Sequence, residues 1–571
     1  MSDFSRLAPF IQEFIYQMKW EQFRDIQVEA IQAILDTKNH VLICSGTASG
    51  KTEACFLPIL TNLVEDPPKS IGVIYIGPLK ALINDQFERL NQLIKETDIP
   101  LQSWHGDVSR NKKLKFIKKA QGILQITPES LESMLIHRHR DFYRLFHDLR
   151  YIIIDEVHAF MGSDRGLQIL SQINRLTRFQ EKEVIRVGLS ATIGDPSDAQ
   201  NWLKTGSKND VTLIQEKSPQ REVLLGVEFF KKENLPDEDE QIDDEKYYSK
   251  MPFYKHLFDL TISENKTLIF TNSRVQSEDI VVGLRDLAKK NHYPDFYHIH
   301  HGSISKEVRV ASEKAMKDSM ERACVCATVT LELGIDIGQL DQVLQIQVPN
   351  SVSSFLQRLG RSGRRGNPAK MFFYIRDEES PDRTEIVHKI PWKLLQTIAI
   401  IQLYVEEKWI EPAETISFPY SVLYHQTMSI IATYTELLPA QLAEKVLTIP
   451  IFKNISQEDY KLLLQHLIEI KHLEKLEEGS IIIGIEGEKI VNNFRFYATF
   501  EDEKTYQVKE KTRNIGTIEE IPEIGTTMLL GGESWRVLEV LFKQRTIFVE
   551  KVLEKLVLIG KVVVLGYIRG L

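Results

Sequence analysis

The run Ser45-Gly46-Thr47-Ala48-Ser49-Gly50-Lys51-Thr52-Glu53 carries the residues of this chain best suited to chemistry. Glycines at 46 and 50 allow a tight backbone turn, so that successive N–H groups and a helix N-terminus face one small volume. That volume suits the phosphates of a nucleoside triphosphate. Lys51 would reach the β- and γ-phosphates, and Thr52 would place its hydroxyl on Mg2+. The flanks agree: Val41 to Cys44 reads as a short apolar strand, and Glu53 to Leu63 as a helix.

A second group stands further along. Tyr151-Ile152-Ile153-Ile154 is an uninterrupted apolar run, as a central parallel strand buried on both faces requires. It ends in Asp155-Glu156-Val157-His158. Asp155 is expected to serve the Mg2+, and Glu156 to orient and deprotonate the attacking water. Phosphoryl transfer asks mainly for positioning and charge neutralisation. The two groups together imply hydrolysis of ATP.

Five further segments follow in order. They are Ser190-Ala191-Thr192, Leu268 to Arg274, His301-Gly302-Ser303, Ala327 to Gly338, and Gln357 to Arg365 with its Arg361 and Arg364. With the first two groups they resemble the ordered motifs of superfamily 2 helicases, over most of the first 370 residues. The resemblance implies that Gln27 reads adenine, that Gly46 through Glu53 with Gly334 and Asp336 bind nucleotide, and that Lys80, Thr127, Thr271, His301 and Thr328 line a strand channel. Arg361 and Arg364 stand three apart beside a glycine-rich helix boundary, so both can point one way. A planar guanidinium spreads γ-phosphate charge well, and supplying it from a second lobe would make hydrolysis depend on lobe closure.

Finer details resemble the Lhr (large helicase-related) group. They include His300-His301-Gly302-Ser303, Leu331 to Gly338, Trp104-His105-Gly106-Asp107, Phe496 to Phe500, Asn514-Ile515-Gly516-Thr517 and Leu529 to Val537. The family core is longer than this chain. By this resemblance the expected activity is translocation along single-stranded or tailed duplex DNA, 3′→5′, in repair or genome defence. RNA or an RNA–DNA hybrid is the alternative substrate. A motor subunit working beside a nuclease or another defence or repair subunit is the alternative role.

Trp535 leaves two readings open. A large aromatic mostly fills a core, yet one at a glycine turn could also stack on a base, which tolerates any sequence. Among basic segments, Arg110 to Lys119 holds six cations, and His137-Arg138-His139-Arg140 follows a helical pattern. Such runs are mostly solvated helix faces, but between motor motifs they could also meet phosphates.

The elements that must position these residues are legible in outline. Residues 1–215 and 216–380 each alternate apolar strands with amphipathic helices, which predicts α/β architecture with doubly wound parallel sheets. By the resemblance these are two RecA-like lobes. Strands are expected at Thr267–Thr271, Phe296–Ile299, Cys324–Thr328, Val343–Ile346 and Met371–Tyr374. Residues 381–479 turn helical, with a winged helix expected, and 480–571 alternate as in a small β-barrel or β-sandwich.

The 571 residues are 43% hydrophobic and 26% charged, with a net charge of −9, so several soluble domains are expected. No run approaches a membrane span and no basic-then-apolar leader opens the chain, so no membrane partner and a cytoplasmic location are expected. Four cysteines give no disulfide framework, and Cys324-Val325-Cys326 reads as a buried pair rather than a metal site.

Overall fold

The computed structural model describes residues 3–46, 50–216, 222–231, 248, 251–318, 320–332, 334, 337–363, 368–377, 389–498, 506–511, 513–518, 521–541 and 546–552. The chain forms two compact units: residues 1–218 with 410–502, and residues 219–409 with 503–571.

The first unit is built on a seven-stranded parallel sheet. Its strands are β1 (His40–Cys44), β2 (Ile71–Ile76), β3 (Leu101–Trp104), β4 (Gly122–Ile126), β5 (Tyr151–Ile154), β6 (Ile185–Ser190) and β7 (Val211–Gln215), in the order β3-β4-β2-β5-β6-β1-β7. Because side chains alternate along a strand, Val41, Ile43, Val73, Tyr75 and Ile153 enter one apolar core, while Leu42, Ile74, Ile76, Ile152 and Ile154 enter the other. Helices cover both faces, which is why the central strands read as continuous apolar runs rather than alternating ones.

The same unit ends in helices Tyr420–Tyr434, Pro439–Leu447 and Gln457–Glu469, with a small antiparallel sheet. That sheet orders β14 (Glu436–Leu437), β16 (Ile481–Ile483) and β15 (Leu473–Lys475), a helix–strand–helix–helix–strand–strand sequence with the winged-helix topology. A buried polar network joins it to the first sheet's helices. Arg175 Nη1 donates to Glu132 Oε1 (2.7 Å), Gln426 Oε1 (3.1 Å) and Ser429 Oγ (2.9 Å). Burial alone would raise the Glu132 carboxyl, but Arg175, His425 and the bonds from Ser429 and Gln172 hold it down at about 2. The pairing makes an otherwise costly buried charge tolerable.

The second unit holds a six-stranded parallel sheet of β8 (Val223–Lys231), β9 (Lys266–Phe270), β10 (Tyr297–His300), β11 (Ala323–Ala327), β12 (Gln342–Ile346) and β13 (Ala369–Asp377), ordered β10-β11-β9-β12-β13-β8. Five of these strands stand where they are expected. The sixth, β8, is an edge strand paired in parallel with β13. Cys324 and Cys326 are buried in β11, and among the described residues no cluster of metal-ligating side chains occurs.

Two features differ from the outline read in the sequence. The boundaries expected at 380 and 479 do not coincide with the units. Helix Trp392–Val405 packs on the second sheet's side, Tyr404 meeting Phe355 with ring centroids 5.6 Å apart, whereas β16 completes the small sheet of the first unit. Among the described residues, the last segment forms one five-stranded mixed sheet where a barrel or sandwich is expected: β17 (Tyr506–Glu510), β18 (Arg513–Ile518), β19 (Thr527–Leu530), β20 (Glu533–Leu541) and β21 (Thr546–Lys551), ordered β18-β17-β21-β20-β19. Val508, Ile515, Leu530, Val537 and Ile547 share one core with Ile280, Leu284 and Ile299 of the parallel-sheet lobe. A single sheet must bury its apolar face against something, and here that surface is the lobe itself.

Candidate nucleotide site and strand-facing loops

Gly50 opens helix Lys51–Glu65 with φ +87°, a left-handed conformation that favours glycine. A Cβ there would also meet Gln27 Nε2 at 2.8 Å, so Gln27 lies directly against the loop. The Gln27 Oε1 accepts the Arg24 N–H at 3.0 Å and closes the start of its helix. Lys51 Nζ bonds to the carbonyl oxygens of Ser45 (3.1 Å) and Ser190 (3.0 Å). Gly46 N–H donates to the Glu216 carboxylate at 3.3 Å. Thr52 sits in the first helical turn, and Glu53 pairs with Arg89. Thr47, Ala48 and Ser49 lie outside the described residues.

The second group meets this loop at the end of β5. Asp155 is buried; Tyr75 O–H donates to one of its oxygens and Glu156 N–H to the other at 2.9 Å. Burial, then repulsion from Glu156, pushes the Asp155 carboxyl up to about 6 despite these bonds. Glu156 itself is held in the left-handed region at φ 52°, a conformation that costs a non-glycine residue about 1–3 kcal/mol. His158 Nδ1 accepts the Ala191 N–H at 3.2 Å and lies 3.2 Å from Ser190 Oγ, while its Nε2 stands 3.6 Å from Glu156 Oε2. One histidine thus joins the acidic turn to Ser190-Ala191.

Three loops of the first unit follow the neighbouring strands β3, β4 and β2. Lys80 pairs with Asp107 at 3.4 Å, and Thr127 caps helix Pro128–His137 by accepting the Ser130 N–H at 3.4 Å. Arg165 ties two of these loops together, donating through Nε to Glu129 Oε1 and through Nη2 to Pro78 O, both at 2.8 Å. The sequence reading missed Arg165; the carboxylate at Glu129, beside the recognised Thr127-Pro128, was the only signal for it.

In the second unit the register sets His300, Ala327 and Phe270 in one row, so that His301, Thr328 and Thr271 stand together at the C-terminal ends of three adjacent strands. Their side chains differ in availability. Thr328 is half-buried, but Thr271 is buried against Ser273 O (3.0 Å) and Ser277 Oγ (2.5 Å), and His301 is buried against Glu278 (2.9 Å). Thr271 and His301 therefore shape their loops instead of presenting side chains. Trp535 is corrected in the same sense. It is 3% exposed in the shared core, and its Nε1–H donates to Leu530 O at 2.7 Å, so no ring face is left for a base.

Arg361 is buried, with Nη2 donating to Glu332 O at 2.7 Å. Beside it stands Arg358, which the sequence reading passed over. Its Nε and Nη2 bind Glu332 Oε2 (3.1 and 2.9 Å), Nη1 binds Gln345 Oε1 (2.6 Å), and the guanidinium lies over Phe270. Gly334 is half-buried after Glu332, while Asp336 and Arg364 lie outside the described residues.

Residues 24–199 match the DEAD/DEAH box helicase family, and residues 249–366 the helicase conserved C-terminal domain. The chain is similar to the ATP-dependent helicase Lhr-Core of Saccharolobus solfataricus, with 29% identity over 93% of this chain and 61% of that protein. It is 30% identical to the Lhr-Core helicase of Sulfolobus acidocaldarius over 79% of this chain and 50% of that one. Among solved structures, Mycobacterium smegmatis helicase Lhr bound to ssDNA and AMP-PNP superposes with a TM-score of 0.70 at 24% identity, over 89% of this chain and 64% of that one. The chain thus spans about three-fifths of the first relative's length.

Proposed function

The chain belongs to the Lhr group of ATP-dependent superfamily 2 helicases, and from that premise and the geometry above we propose that it hydrolyses ATP to move along nucleic acid. The observation that carries this reading is the chain of contacts that runs from Lys51 through Ser190-Ala191 and His158 to Glu156. Lys51 and the loop N–H groups hold the phosphates, Gln27 reads the base, and Glu156 directs the attacking water. Arg361 and Arg364 are the residues proposed to spread the γ-phosphate charge.

The donors present suit Mg2+: a hydroxyl at Thr52 and a buried carboxylate at Asp155, both hard oxygen ligands that leave further positions for phosphate and water oxygens. Thr52 and Asp155 would hold it, and it would neutralise charge developing on the transferred phosphate. Ionised Asp155 stands unfavourably beside Glu156, a repulsion that a cation relieves.

The proposed track is single-stranded DNA, traversed 3′→5′. Support comes from the related Lhr structure, which holds ssDNA, and from the loops at the strand ends, where half-buried Thr328 and exposed backbone groups suit sequence-independent contacts. The test is unwinding of duplexes carrying a 3′ or a 5′ tail, in DNA and RNA versions. Unwinding of 3′-tailed DNA is expected. Preference for an RNA loading strand, or for the 5′ tail, overturns the assignment of track or direction.

A further inference from the structure

The loop after β10 is held from two sides within the second unit. His301 Nδ1 accepts the Ser303 N–H at 3.3 Å, and its Nε2 faces Glu278 Oε1 at 2.9 Å. The same carboxylate accepts the N–H groups of Gly531 (2.7 Å) and Gly532 (2.5 Å). These two glycines, with φ +70° and +74°, form the two-residue turn of the β19–β20 hairpin, where both positions need the left-handed region. Further along the helix that carries Glu278, Arg285 Nη1 donates to Gly532 O at 2.7 Å. On its other side the loop joins β18: Thr517 N–H donates to Ser303 O, Ser305 N–H donates to Ile515 O at 2.9 Å, and Ile304 bridges Gly516.

All this buried bonding surrounds one outward-facing residue. Gly302 is exposed, with open space where a side chain would point, one residue beyond the row of His301, Thr271 and Thr328. A glycine there lets another backbone approach closely. We propose that Glu278 is a positioning residue for strand engagement: by holding His301 and the Gly531-Gly532 turn at once, it makes the five-stranded sheet the backing that sets where the Gly302 backbone meets a strand phosphate. This rests on the nucleic-acid motor reading above.

The chemistry makes Glu278 hard to replace. A carboxylate accepts all three hydrogen bonds, whereas a glutamine of the same shape turns an NH2 toward one of the three donors. The experiment is ATP hydrolysis by the full chain titrated with single-stranded DNA, for wild type, Glu278→Gln, His301→Gln and Arg285→Met. Glu278→Gln and His301→Gln are expected to raise the half-saturating DNA concentration by about tenfold, with turnover at saturating DNA and the KM for ATP within about twofold of wild type, because only binding is affected. Arg285→Met removes a tie to Gly532 O and one to Tyr297 O of β10 but leaves the Glu278–His301 contact in place; its melting temperature falls, and its half-saturating DNA concentration rises clearly less than that of Glu278→Gln. Wild-type DNA dependence in Glu278→Gln or His301→Gln, or an equal shift in Arg285→Met, overturns the proposal. A wild type whose hydrolysis ignores DNA altogether instead sinks the motor reading on which it rests.

Discussion

His158 accepts the Ala191 N–H through Nδ1, which fixes the neutral ring as the Nε2–H tautomer and directs that proton toward Glu156. The turn that carries Glu156 and the strand end at Ser190-Ala191 are therefore oriented as one piece. Lys51 reaches the same strand end through Ser190 O.

A first prediction follows for His158→Ala. Glu156 keeps its place in the chain but loses the group that orients it, and loss of such supporting contacts typically costs about 10–100-fold in activity. Turnover is expected to fall by that amount with nucleotide affinity nearly unchanged, measured by steady-state hydrolysis and nucleotide titration. Unchanged turnover would show that the histidine is only packing.

Asp155 gives a pH prediction. Its carboxyl is raised to about 6 by burial and by Glu156, above the value of an unfolded aspartate. The stability linked to its protonated form is thus fully present below about pH 4 and lost as pH rises through about 6. Asp155→Asn removes the ionised form, so without nucleotide it is expected to be more stable than wild type at pH 7.5, on the order of 2 kcal/mol. That advantage should shrink at pH 4.5. Equal denaturation midpoints at both values contradict the assignment.

How much of this was legible in the sequence depends on how local the signal is. Lys51, Asp155 and Glu156 can be singled out in the sequence because a glycine-rich loop and a buried strand end leave their pattern in contiguous residues. The parallel sheets were legible for the same reason. The seating of the five-stranded sheet was not, because it depends on Glu278 meeting Gly531 and Gly532 from a distant helix. Arg165 and Arg358 escaped notice likewise: each looks like an ordinary surface arginine until its partners, Glu129 and Glu332, are brought beside it. The glycine turn before Trp535 suggested a presented ring, whereas those glycines serve the hairpin and its contact with Glu278.

Arg358 supports the second lobe through a buried ion pair. Removing one partner leaves the other charge buried alone, which typically costs about 3–5 kcal/mol. Arg358→Met should show a loss of that size in denaturant unfolding, and adding Glu332→Gln should restore part of it. Additive losses in the double variant would mean that the pair is not coupled.

Trp535→Ala removes a core ring and is expected to destabilise the protein by about 3–5 kcal/mol. A variant as stable as wild type, with normal hydrolysis and poor unwinding, would return the ring to the strand path.

The central claim, that the loop at Gly46–Thr52 and the acidic turn at Asp155-Glu156 form a nucleic-acid-driven ATPase site, is tested most directly by hydrolysis with and without single-stranded DNA in wild type and Glu156→Gln. Wild-type turnover should rise on adding DNA, while Glu156→Gln should bind ATP yet turn over slower by a factor of about 10² or more, because the general base and its positioning of water are lost. Wild-type-like, DNA-stimulated turnover in Glu156→Gln would contradict the account.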